Sequence, residues 1–172
     1  SDSGAQIAAA IAAADSNGLA FINSLDIELS EDSVITAADA LTLQGLNNLD
    51  KNGHTLKVWD SAANLIDTID GYLTAVNDPS IDAVHLKTTG GTATVSPATA
   101  AALFSITNFS KDNPNATSNT LIVSGSAANI EANYATLDAN DALISSVVVS
   151  SSGTVTDEVY THLLSLGATA GG

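Results

Sequence analysis

The chain has no cysteine, no methionine and no arginine. Without cysteine there is no disulfide framework, no thiolate nucleophile and no thiolate metal ligand. Four lysines stand against 19 acidic residues, for a formal net charge of −15. Nucleic-acid phosphates and anionic membrane surfaces are held by clustered Lys and Arg, so this balance argues against both as partners. An acidic surface suits solubility, divalent cations or cationic partners. Aromatic residues are scarce at 4%, and the 45% apolar content comes mainly from Ala, Leu, Ile and Val. Small aliphatic side chains suit thin, regular layers better than a bulky core. Long hydrophobic runs are missing too. The Ala-rich stretch around Ala8 to Ala14 is too short to cross a bilayer, so no membrane insertion is expected.

What is present is repetition. Asp2-Ser3-Gly4-Ala5-Gln6-Ile7 returns as Asp60-Ser61-Ala62-Ala63-Asn64-Leu65 and as Gly125-Ser126-Ala127-Ala128-Asn129-Ile130. A second motif, a hydroxyl residue opening a helix, falls at Thr36, Ser96 and Thr156, at steps of 60 residues. Apolar columns keep that offset: Leu43, Leu103 and Leu163, then Leu46, Ile106 and Leu166. The expected organisation is a single repeat array of units about 1–58, 59–123 and 124–172, the last truncated. A period of this length marks stacked supersecondary units. The chain opens inside the repeat motif, as expected of a slice of something larger.

Each unit divides into two βα halves. Short apolar-x-apolar runs predict strands at 27–30, 56–58, 84–87, 121–123 and 147–150. Leu65, Ile69 and Leu73 recur at helical spacing, as do Val159, Leu163 and Leu166. Thr36, Ser96, Thr156 and the pair Asp60-Ser61 are placed to cap helix starts, and Pro97 falls where its missing N–H costs nothing. Strands alternating with helices imply parallel pairing. The expected fold is α/β: a repeat solenoid of βα units, with a parallel ladder of short strands on one face and helices on the other. An ordinary doubly wound three-layer domain is the alternative. Polar residues between apolar strand positions (Asp26, Glu28, Lys57, His85) favour one exposed sheet face and hence the solenoid.

Candidate chemistry is sparse. His54, His85 and His162 show no metal-ligand spacing, although His54 and His85 are expected on neighbouring strands. Trp59, directly after a strand, either covers a sheet edge, the favoured reading, or offers a sugar-stacking platform; on the second reading Trp59, His54 and His85 are the candidate ligand-binding residues, for a glycan or a small molecule. Asp26, Glu28, Glu31 and Asp32 cluster at the first strand and its loop and are the candidate metal ligands, with Ca²⁺ as the cofactor they would suit. Asp67, Asp78 and Asp82 form a second acidic group. Capping and solvation are the favoured account of such residues. No Asp-x-Asp-x-Asp-Gly loop, no glycine-rich nonapeptide and no Gly-x-Ser-x-Gly elbow occurs. The longest irregular loop is expected at Ser110 to Asn119.

Val58-Trp59-Asp60-Ser61-Ala62-Ala63-Asn64-Leu65, Val123-Ser124-Gly125-Ser126-Ala127-Ala128-Asn129-Ile130 and Ile35-Thr36-Ala37-Ala38-Asp39-Ala40 carry a resemblance. They resemble repeats of very large secreted bacterial surface proteins, adhesin-like or RTX-associated. Gly125 departs from the motif's Asp. The resemblance implies an extracellular, cell-surface location and a non-enzymatic spacer or adhesive role. It also raises calcium dependence, and surface glycans or other copies of the parent protein as partners. A glycan- or small-ligand-binding module is the alternative, and a polysaccharide-active enzyme the least favoured reading.

Overall fold

Hydroxyl side chains open six of the seven α-helices described, all but α6. In a computed structural model, which describes residues 3–14, 22, 25–44, 46, 48–72, 80–115, 117–151 and 154–171 (backbone only for 68–72), the helices are α1 (Gly4–Ala13), α2 (Ala37–Leu43), α3 (Ala62–Tyr72), α4 (Pro97–Phe104), α5 (Ala127–Ala132), α6 (Tyr134–Asp138) and α7 (Asp157–Ser165). Ser3, Thr36, Ser96, Ser126 and Thr156 each accept a hydrogen bond from the backbone N–H three residues on. Ser61 does the same for Asn64 at the start of α3. Each cap satisfies one of the N–H groups that a helix start leaves without an intrahelical partner. The expected caps Thr36, Ser96 and Thr156 therefore stand at the positions the repeat assigns them.

The strands are short: β1 (Ile27–Glu28), β2 (Ser33–Ile35), β3 (Leu49–Asp50), β4 (Leu56–Asp60), β5 (Ala83–Leu86), β6 (Thr92–Val95), β7 (Phe109–Ser110), β8 (Thr120–Gly125), β9 (Ser146–Val149) and β10 (Thr169–Ala170). The chain packs as two units, Ser1–Leu86 with Ile106–Ser110, and Lys87–Ser105 with Lys111–Gly172. The first holds the pair β1–β3 and a four-stranded sheet in the order β2-β4-β5-β7. The second holds a four-stranded sheet in the order β6-β8-β9-β10. Every pairing between these strands is parallel. The fold is α/β with parallel sheets.

Alternation sets the two faces of each sheet. In the first, Ile35, Val58 and Val84 form a row across β2, β4 and β5 and are buried, while Lys57, Trp59 and His85 point the other way and are half-buried. In the second, Val95, Val123 and Val147 form the matching buried row. Helix columns complete the cores: Leu43, Leu103 and Leu163, sixty residues apart, are all buried, as are Leu65 and Ile130. Leu73 lies outside the described residues.

The sheets differ from the single ladder expected. The pairs β4–β5 and β8–β9 join strands expected to be neighbours. However, β1 pairs with β3, β5 continues to β7, and β8 pairs with β6. The five additional strands, β2, β3, β6, β7 and β10, have two to four residues each. Such lengths are too short to display an alternating pattern, and β2 and β6 run directly into the caps Thr36 and Ser96.

One contact ties successive helices together and explains a departure in the repeat. The buried Asp60 carboxylate accepts the Ala37 N–H, the first amide of α2, at 3.0 Å. Its other oxygen accepts the Ser61 N–H and the Asn64 side-chain amide, each at 2.8 Å. In the second unit the equivalent position is Gly125, and the helix it faces begins with Pro97, which has no N–H to donate. A Cβ at Gly125 would stand 2.7 Å from Pro97 Cδ and 2.8 Å from its Cγ. Asp with Ala, and Gly with Pro, are two consistent solutions to the same junction.

A double-mutant cycle tests this junction. Gly125→Asp alone should destabilise by about 2–3 kcal/mol through overlap with the proline ring. Combined with Pro97→Ala, the introduced carboxylate gains an amide to accept, and the pair should recover roughly 1–3 kcal/mol relative to the sum of the singles in denaturant unfolding. Strict additivity would refute the exchange. In the core, Leu103→Ala should cost roughly 2–5 kcal/mol, because that side chain is fully buried. By contrast, exposed Asp67→Ala should stay within about 0.5 kcal/mol. Equal effects would contradict the register.

Candidate functional site

Parallel strands of a few residues leave backbone groups at their entry that the ladder does not reach. Three polar residues close these ends. Leu56 donates its N–H to Asp82 Oδ2 at 2.7 Å, and the Asp82 N–H returns to the Leu56 carbonyl at 2.8 Å. Leu121 donates to Ser145 Oγ at 3.1 Å, and the Ser145 N–H returns to the Leu121 carbonyl at 2.8 Å. The two clamps occupy equivalent register positions, one residue ahead of Lys57↔Ala83 and of Ile122↔Ser146. At the β2–β4 entry, Thr55 donates to Asp32 Oδ1 at 2.8 Å, and the Ser33 N–H returns to the Thr55 carbonyl at 2.8 Å.

Two of the four lysines reinforce the clamps. Lys51 Nζ lies 2.7 Å from Asp82 Oδ1, and Lys111 Nζ lies 3.3 Å from Ser145 Oγ. These lysines are sixty residues apart, so the repeat carries them too. Sequence reasoning missed this role, although the spacing was there to be read.

The electrostatics follow from the bonding. Partial burial works to raise the Asp82 pKa, but the Lys51 hydrogen bond, the Leu56 N–H and the charges of Lys51 and Lys57 together hold it below the ordinary carboxylate value. Asp32 is also lowered, chiefly by the Thr55 N–H, against some desolvation, with help from the Thr55 side chain, His54 and Lys57. Both carboxylates are thus tied to the folded backbone in their ionised form.

The candidate metal ligands do not form a cage. Asp26, Glu28, Glu31 and Asp32 are exposed, and Asp32 is engaged with Thr55. Among the described residues, no three His, Asp or Glu side chains come together to hold a metal ion. Calcium needs several oxygens converging on one point, and no three of these four converge. In the second acidic group, Asp67 is exposed on α3, Asp82 is the clamp, and Asp78 lies outside the described residues.

The candidate ligand-binding residues are partly gathered. Trp59 and His85 are directly opposed across β4 and β5, with Ser110 of β7 opposite His85. Trp59 stands inside β4 rather than after it, because the strand continues to Asp60. His54 is not part of that row: it precedes β4, with Nδ1 3.7 Å from Asp32 Oδ1. Trp59 and His85 together offer an aromatic, half-buried patch on the sheet face away from Val58 and Val84. It presents a stacking surface rather than a paired acid and base.

Two further polar groupings have structural roles. His162 Nδ1 lies 3.0 and 2.9 Å from the two Glu131 carboxylate oxygens, linking α7 to α5. Its ring stacks on Tyr134 at 3.8 Å and an interplanar angle of 4°. The 110–119 loop is closed by its own side chains: Asn119 donates its N–H to Asp112 Oδ1 and its side-chain amide to the Lys111 carbonyl.

The clamp carboxylates give the protein an acid-sensitive stability. Their folded pKa values lie below the ordinary value of 3.8, so between the two values the unfolded chain binds more protons than the folded one. Stability from these groups is therefore complete above that value and is lost as pH falls below it. Asp82→Ala should cost on the order of 1 kcal/mol at neutral pH, allowing for solvent screening of a partly exposed pair. It should also flatten the fall in melting temperature below about pH 4. An unchanged acid profile in Asp82→Ala would remove the clamp from this account. No family model matches the chain, and no curated protein or solved structure is similar to it at a significant level.

Proposed function

We propose that the chain is a non-enzymatic structural and adhesive repeat segment of a large secreted bacterial surface protein, built as an α/β solenoid of βα units. The single observation carrying this reading is the recurrence of the clamps. Asp82 with Lys51 and Ser145 with Lys111 do the same work at equivalent register positions. Asp60 and Gly125 sit at equivalent junctions with the preceding helix. Polar residues that would otherwise suggest chemistry hold backbone ends in register, as a stiff array requires. The resemblance of the Ser-Ala-Ala-Asn motifs to adhesin-like repeats supplies the extracellular, cell-surface setting. In such an array, weak contacts at fixed spacing sum to avidity, with surface glycans or other copies of the parent protein as partners. The acidic surface favours hydration and leaves calcium as a stiffening ion to be tested.

A second reading, a glycan- or small-ligand-binding module, is favoured by one observation, the direct opposition of Trp59 and His85 across β4 and β5.

Thermal melts separate the two. The structural reading expects no concentration-dependent rise in melting temperature across a panel of glycans, with chelator or with millimolar Ca²⁺, and no turnover of polysaccharide substrates. It also expects beads densely coated with the chain to adhere to bacterial or host cells above an albumin control, while the soluble chain does not. A saturable glycan-dependent rise that is lost in Trp59→Ala would transfer the assignment to the binding module. A calcium-dependent rise would restore a metal site, and failure of coated beads to adhere would remove the adhesive role.

A further inference from the structure

The sixty-residue register lets each position be compared with its counterparts. Val155 is 39% exposed, whereas Ile35 and Val95 are 3% and 8% exposed. Tyr160 is 56% exposed, whereas Ala40 and Ala100 are 3% and 0% exposed. The difference follows the order of packing. Ile35 and Val95 stand in β2 and β6, which pair with the next strands, β4 and β8. Helix α3 then packs on α2, and α5 and α6 pack on α4. No described element takes that place beyond α7. What remains is a groove of about 560 Å³, lined by Val155, Tyr160, Leu163, Leu164 and Ala170 among others, with no charged side chain in its wall.

A matching face lies on α1. This helix carries no charged residue, and its outward positions Ala5, Ala9, Ala10, Ala12 and Ala13 are exposed. Apart from Gln6, which is taken up by the Ser3 cap, the exposed side of this helix is alanine, and a helix with an apolar outward side normally has protein against it. Helix α1 also opens with Ser3-Gly4-Ala5-Gln6-Ile7, the same motif that opens α3 and α5. Helices of that kind are the ones that pack on α2 and α4, so by the order within the chain α7 calls for a helix of the α1 kind.

We propose that the groove along α7 receives the alanine face of α1 from a second copy of this chain, head to tail. The inference goes beyond the adhesive reading, since it needs only the register and two charge-free faces. Groove and helix are different surfaces, so the contact is heterologous. Each copy carries a net charge of −15, so salt that screens the repulsion should strengthen association.

Sedimentation velocity of the full chain, from micromolar to near-millimolar concentration at low and high salt, tests this. The expected result is a mass that rises with concentration and with salt. Leu164→Glu and Ala9→Glu change exposed positions, so both should fold, as circular dichroism melts would verify; Tyr160→Glu and Ala12→Glu stand in for either that does not. Each variant alone should associate at least about tenfold more weakly. An equimolar mixture of the two should recover a dimer, because one keeps the groove and the other keeps the helix face. A wild-type chain that stays monomeric throughout would overturn the proposal. So would an Ala9→Glu chain that associates like wild type, which would mean groove against groove, or a mixture that fails to associate while wild type does.

Discussion

Acceptance of a backbone N–H by a side-chain oxygen, repeated at one element end after another, is the interaction on which the rest of this structure depends. Strands here run from two to six residues and helices from five to eleven. In elements so short, a large share of the backbone donors lies at an end, where neither a helical turn nor a ladder supplies a partner. Ser, Thr and Asp side chains supply them instead. Ser61 closes a helix within one turn, Asp60 closes the preceding helix, and Asp82 closes a strand entry. These oxygens add to a register that the buried rows of Val58 with Val84 and of Val123 with Val147 already favour, since a one-residue slip would turn each row to the other face of its sheet.

The same constraint explains how the repeat tolerates sequence change. A buried carboxylate without a donor is costly, and so is a buried amide without an acceptor. Asp60 cannot be exchanged alone, and neither can the N–H of Ala37. At the equivalent junction both have changed together: Pro97 removes the donor, and Gly125 removes the acceptor and makes room for the ring. Ser145 in place of Asp82 is a milder exchange, because a hydroxyl accepts the Leu121 N–H and a carboxylate the Leu56 N–H with nearly the same geometry. The repeat therefore preserves which backbone group is satisfied rather than which residue satisfies it.

That distinction marks what was legible in the sequence. The helix starts were readable, since Thr36, Ser96 and Thr156 announce caps at a fixed period. So were β4, β5, β8 and β9, whose cores are runs rich in Leu, Ile and Val. The partition into separate sheets was not readable. It turns on β2, β7 and β10, of two or three residues, on β6, whose Thr-Ala-Thr-Val offers one large apolar side chain, and on pairing between strands that are not consecutive. The candidate site was legible only in part. Trp59 and His85 were expected to be close to each other and are directly opposed, because both sit on the outward positions of paired strands. His54 stands ahead of β4, before the 56–58 run, and so lies outside that row. The matched lysines, Lys51 and Lys111, carried a readable signal in their spacing that only the clamp geometry turns into a role.

The acidic residues show why the remainder could not be read. A carboxylate in a loop is equally an oxygen for a cation and an acceptor for a neighbouring N–H. Sequence records the oxygen but not how many others converge with it. For Asp26, Glu28, Glu31 and Asp32 the deciding quantity is convergence in space, and the fold sends Asp32 to the Thr55 amide and leaves the others exposed. A single N–H satisfies the need of a single carboxylate, whereas a calcium ion needs several at once. In a chain with so many short elements, Asp32, Asp39, Asp50, Asp60, Asp82 and Asp112 each accept a backbone N–H, and their charge goes to holding an element end rather than to gathering around an ion.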